Sequence, residues 1–218
     1  MNYFQLLESL YKVYDKLLNQ TVESKKIFKS IKNAVPYEEC VFCSVETLSL
    51  PPGKFNVSGL YDPDQDEQGK PPITIEIAFP RKTTFTFNES DLRRDHWAEL
   101  CIDLASTLGH EFVHLHQFRN RNYRWTRQYK SNNDNLNLKE VEEYYGDSDE
   151  IGAYAFMAAA ELIINRSSGS MSTIEDTNVF KTYTKFFSET DPVIAKLSKL
   201  IKLYNKQLEK QYYATTFQ

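Results

Sequence analysis

Five residues near the middle of the chain, His110-Glu111-Phe112-Val113-His114, carry the pattern H-E-x-x-H. If they lie on a helix, His110 and His114 are four apart and stand one turn above each other on one face. Two neutral imidazoles so placed can reach a single Zn²⁺ ion, which in catalytic sites takes three protein ligands and keeps a fourth position open. Glu111 points beside that position. A carboxylate there can act as general base toward a water that the metal activates, which is the chemistry of a zinc-dependent hydrolase.

Two histidines leave the ligand set incomplete. His116 is rotated to another face, and His96 lies fourteen residues before His110, about 21 Å along a continuous helix. No other histidine exists, and the extended pattern that needs glycine at 117 and histidine at 120 meets Gln117 and Asn120 instead. The third ligand must therefore be a carboxylate, and the segment 144–155 offers Asp147, Asp149 and Glu150. Asp147, Ser148 or Asp149 can cap a new helix whose first turn holds Glu150. Gly152, Ala153, Ala155, Ala158 and Ala159 follow, and so many small residues predict close packing of this helix on another.

With the segment Glu150-Ile151-Gly152-Ala153-Tyr154-Ala155, the chain over about residues 95–165 resembles the gluzincin metallopeptidases. In these, H-E-x-x-H is completed by a glutamate on a second helix. The likeness is greatest to small phage and bacterial members with an E-I-x-A-x-A ligand helix. The resemblance implies a zincin-like fold, zinc held by His110, His114 and Glu150, and Glu111 as general base. The chain departs from thermolysin-like enzymes in carrying Tyr154 four residues after the ligand glutamate, so Asp147 or Asp149 is left to orient a histidine. Tyr144 and Tyr145 are candidates for stabilising the oxyanion that forms when water attacks a carbonyl.

The motif needs a helix, and its surroundings supply one. Trp97, Cys101, Leu104, Ala105, Leu108, Phe112 and Leu115 recur at spacings of three and four, which predicts a helix with one buried stripe, capped near Ser90 or Asp91 and fading at 118–122. Residues 3–33 show two further helical patterns, 38–88 turn toward strand, and 91–213 return to helix. Strands grouped before helices predict an α+β fold, predominantly helical, with a small antiparallel sheet packed on the active-site helix. The alternating run Ile73–Phe79 reads as a half-buried strand, and as an edge it would pair with an extended peptide. The acidic segment Tyr61–Gly69 lacks the glycine and terminal glutamate of a calcium loop and reads as a solvated loop.

Composition bounds the rest. A chain of 218 residues with 41% hydrophobic and 14% aromatic residues is enough for one sizeable core, so a single domain over 1–218 is expected. A net charge of −4 gives no general attraction to nucleic acid or anionic membrane. The N-terminus lacks the basic start and apolar run of a signal peptide, and no stretch approaches about 20 apolar residues. Three cysteines fit a reducing cytoplasm, and Cys40 and Cys43, a C-x-x-C flanked by strand-like residues, read as core thiols. The basic and aromatic run from Arg119 to Lys130 can contact nucleic acid, but its place past a helix C-terminus favours positive charge anyway.

The expected protein is a cytoplasmic zinc metallopeptidase acting on a peptide or protein substrate. The alternatives are a catalytically silent zinc-binding regulatory module and a nucleic-acid-associated protease.

Overall fold

The computed structural model describes residues 2–51, 54–81, 84–87, 93–126, 128–167, 169 and 172–216. The fold is α+β and predominantly helical, as expected. The chain forms two compact units, Met1–Glu111 and Phe112–Gln218.

The first unit opens with α1 (Tyr3–Leu17), capped by the Asn2 side chain, which accepts from the Gln5 N–H. Tyr3, Leu6, Leu10, Val13 and Leu17 line its buried face at helical spacing. A short strand β1 (Thr21–Glu23) and helix α2 (Ser24–Ala34) follow, then β2 (Cys40–Thr47), β3 (Asn56–Tyr61), helix α3 (Pro63–Glu67), β4 (Ile73–Pro80) and β5 (Thr84–Thr86). The helix α4 (Arg93–Asn120) begins in this unit and carries the H-E-x-x-H pattern. Ser90 and Asp91, expected at its start, lie outside the described residues.

β1 and β5 form an antiparallel pair, whereas β2, β4 and β3 form a mixed sheet in that order, with β2 parallel and β3 antiparallel to β4. The expectation of an antiparallel sheet thus holds for two of the three pairings. Ile73, Ile75, Ile77 and Phe79 of β4 are wholly buried while Thr74 and Glu76 between them are half-exposed. Burying each such side chain contributes about 1.5–3 kcal/mol, enough to fix the register, since a slip of one residue would turn all four outward. The edge role suggested for Ile73–Phe79 is overturned: β4 is central, and its backbone is hydrogen-bonded on both sides. Alternation reports which face is buried, not which strand is outermost.

Two other expectations need adjustment. Residues 63–67 are helical rather than loop, because Asp62 accepts from the N–H groups of Asp64 and Gln65 and Pro63 supplies the first helical position. Asp66 is buried there and accepts from the Tyr61 hydroxyl at 3.0 Å. Along α4 the single stripe widens: every residue from Leu108 to Leu115 is buried, as in a helix enclosed on all sides. Trp97 anchors the earlier part, its indole N–H donating to the Leu10 carbonyl at 3.3 Å and its ring packing on Phe87 and Tyr14.

The second unit holds the end of α4, then α5 (Leu136–Gly146), α6 (Ser148–Ser167), a 3-10 turn (Ile174–Asp176), α7 (Asn178–Tyr183) and α8 (Pro192–Thr216). The small residues of α6 are buried as expected, and α6 packs along α8, where Val193, Ile194, Leu197 and Ile201 are buried in turn. No helix among the described residues is long and apolar enough to cross a membrane.

Candidate metal centre

α4 brings His110 and His114 to one face, and the first turn of α6 presents Glu150 to them. One donor atom from each of the three lies within 4.8 Å of the others, so this group could hold a metal ion. His114 Nε2 and Glu150 Oε1 are 3.4 Å apart. That is long for a hydrogen bond, but it matches the edge of a tetrahedron whose centre-to-ligand distances are about 2.0–2.2 Å. The donor set, two imidazoles and a carboxylate, suits zinc among other first-row divalent ions. His116, excluded on helical geometry, is exposed.

Glu111 is not in this cluster. It is 6% exposed, with β3 beside it: a Cβ built on Gly59 would stand 2.6 Å from its Oε1 and 2.7 Å from Cγ2 of Thr107. A side chain at position 59 would force Glu111 and Thr107 to shift, so β3 forms a close wall against the carboxylate. Cys40 is close enough to feel Glu111 electrostatically. Its thiol is pushed up to about 12 by burial, with Glu39 and Glu111 adding to the effect, so it stays protonated and unreactive. Cys43, three residues along the strand, faces the opposite side and donates to the Ile75 carbonyl. The C-x-x-C spacing therefore cannot close on a metal.

The carboxylates beside Glu150 have other tasks. Asp147 caps α6 by accepting from the Asp149 N–H at 2.8 Å, and burial raises its pKa despite that bond. Asp149 is held by both guanidinium arms of Arg121, at 2.5 and 2.8 Å. The expectation gives one of these aspartates the task of orienting a histidine; at His114 Nδ1 the structure places Gln117. Its Oε1 lies 3.1 Å from His114 Nδ1, and its Nε2 donates to the Asp149 carbonyl at 3.1 Å. Gly152 makes room for it, since a Cβ there would fall 2.5 Å from Gln117 Nε2. The signal for Gln117 in the sequence is its place one helical turn after His114; its second partner, the Asp149 carbonyl, is brought near only by the fold.

Of the two tyrosines singled out, Tyr144 is 47% exposed, and its hydroxyl lies 3.4 Å from that of Tyr154. Desolvation at the hydroxyl raises its pKa, with the Tyr154 hydroxyl and Glu150 adding to the rise. Tyr145 instead packs into an aromatic cluster, stacked on Phe186 at 5.5 Å and edge-on to Tyr183 at 5.3 Å. Tyr154, which sequence reasoning noted only as a departure, is pushed up to about 12, chiefly by burial. The basic run is partly consumed in structure: Arg121 binds Asp149 and lies over the Phe118 ring, and Trp125 packs edge-on against Phe118. Arg127 of that run lies outside the described residues.

Compared with known proteins, the chain matches no family model, no curated protein and no solved structure.

Proposed function

We propose that this protein is a zinc-dependent peptidase in which His110, His114 and Glu150 hold the metal and Glu111 is the general base. The observation that carries the reading is the convergence of three metal-type donors from two helices, with a buried carboxylate, Glu111, at the position after the first of them. Zinc bound there would polarise a scissile carbonyl and lower the pKa of water toward about 7. Glu111, held in place by the wall at Gly59, takes the proton from the attacking water and passes it to the leaving amine. The Tyr144 hydroxyl, protonated at neutral pH as tyrosine ordinarily is, can donate a hydrogen bond to the oxygen that gains charge. The substrate is a peptide or protein. A reducing, cytoplasmic setting belongs to the same proposal, supported by three free thiols.

The test is metal analysis and hydrolysis of a peptide library by the wild type, Glu111→Gln, His114→Ala and Glu150→Ala. The expected result is stoichiometric zinc in the wild type and in Glu111→Gln, with cleavage only by the wild type. Both ligand variants should lose zinc. Stoichiometric zinc without cleavage by the wild type would make the protein a zinc-binding module instead, and a metal-free wild type that takes up no added zinc would defeat both readings.

A further inference from the structure

The two helices that carry the metal ligands are bridged by one amide. We propose that Gln117 is a positioning residue that orients His114 and sets the placement of Glu150, an inference that rests on reading those two residues as metal ligands. The chemistry of the bridge fixes its direction. A backbone carbonyl only accepts, so the Gln117 atom facing the Asp149 carbonyl at 3.1 Å is the amide nitrogen. Its oxygen then faces His114 Nδ1 at 3.1 Å, and because that oxygen also only accepts, Nδ1 must carry the hydrogen. The lone pair of the neutral ring is thereby assigned to Nε2, the atom 3.4 Å from Glu150 Oε1. A cation shared between that lone pair and the Glu150 carboxylate is what the metal reading requires of this pair.

The other end of the bridge acts on α6. Asp149 is clamped at every polar point: its carbonyl by Gln117, its N–H by Asp147 and its carboxylate by Arg121. Glu150 is the next residue, so the clamp sets how far the first turn of α6 stands from α4. Gly152 is the opening through which the amide reaches. Hydrogen-bonded partners of this kind change metal affinity by about 10–100-fold when removed.

The experiment compares the wild type with Gln117→Met, which keeps the side chain's length and loses both hydrogen bonds, and with Gln117→Glu, which keeps only the acceptor toward His114. Nitrogen-15 NMR of the metal-free proteins reads the His114 tautomer, and competition with a chromophoric chelator reads zinc affinity. The wild type should hold the Nδ1–H tautomer. Gln117→Met should lose that preference and bind zinc about 10–100-fold more weakly. Gln117→Glu should keep the tautomer and lose less affinity than the methionine variant. An Nε2–H ring in the wild type, or a Gln117→Met protein with unchanged tautomer and zinc affinity, overturns the role of Gln117 and leaves the zinc site standing. A wild type that shows the Nδ1–H ring but takes up no zinc overturns the metal reading, and the positioning role falls with it.

Discussion

Replacing Gly59 by alanine tests the placement of the proposed base without touching a metal ligand. The added methyl would sit 2.6 Å from Glu111 Oε1, 2.8 Å from its Cγ and 2.7 Å from Thr107 Cγ2, where ordinary contact begins at 3.4 Å. The carboxylate must retreat by about 0.8 Å, and Thr107, fixed on the same helix, restricts the direction it can take. Overpacking of this kind costs about 1–3 kcal/mol of stability, and a reacting group displaced by about 1 Å can cost on the order of 100-fold in rate. Gly59→Ala should therefore unfold at lower urea, keep its zinc, and lose on the order of 100-fold in kcat/KM with peptide. Zinc content by mass spectrometry, urea melts and initial rates measure the three quantities. A variant as stable and as fast as the wild type would refute the packing of β3 against Glu111, while loss of zinc would mean that Glu111 helps to hold the metal.

Four further outcomes follow from the same geometry. Arg121→Met should destabilise the fold by about 3 kcal/mol, because Asp149, with only 13% of its side chain exposed, is left as an uncompensated charge; Arg121→Met/Asp149→Leu should regain part of the loss in urea melts, and equal midpoints for the single variant and the wild type would show the pair to be inert. Gly152→Ala, although alanine favours helix by about 1 kcal/mol, should weaken zinc binding by forcing Gln117 aside, as read by chelator competition. Adding zinc to metal-free protein at about 100 times its Kd should stabilise it by about 2.7 kcal/mol, and His110→Ala should show no such rise in Tm. Stability should also fall in alkali. Cys40 is pushed up to about 12, while Cys101 and Tyr3 are raised by burial, so the unfolded chain releases these protons first. Their contribution is complete below about pH 9 and is lost as pH climbs toward 12, and a urea midpoint unchanged from pH 8 to 11 would contradict it.

The histidine pair was legible because a spacing of four in a helix is a distance, and the apolar repeat from Trp97 to Leu115 made the helix itself legible. Glu150 was reachable by elimination of histidines and by resemblance, but three carboxylates lay within four residues. What separates them is a set of partners, Arg121 for Asp149 and the α6 backbone for Asp147, that only the folded chain brings near. The buried face of β4 could be read from its alternation, yet its central place could not, since strand order depends on pairings between distant segments. The Asp62-Pro63 start of α3 did have a signal, a capping aspartate followed by proline, and the acidic run around it obscured that signal.

The elbow between α5 and α6 is one residue long, and its turn is fastened by hydrogen bonds with Asp147, Gln117 and Arg121. Glu150 is thus borne on hydrogen-bonded structure, and a cation held there as proposed would not need to organise the chain around itself, in contrast to domains that fold only when zinc arrives. Metal occupancy becomes separable from folding: a chelator should empty the site and leave a protein that regains metal without refolding. Hydrogen exchange over 136–167 should be nearly the same with and without zinc. On the proposed reading, gain and loss of the metal would switch the site without unfolding the chain that carries it.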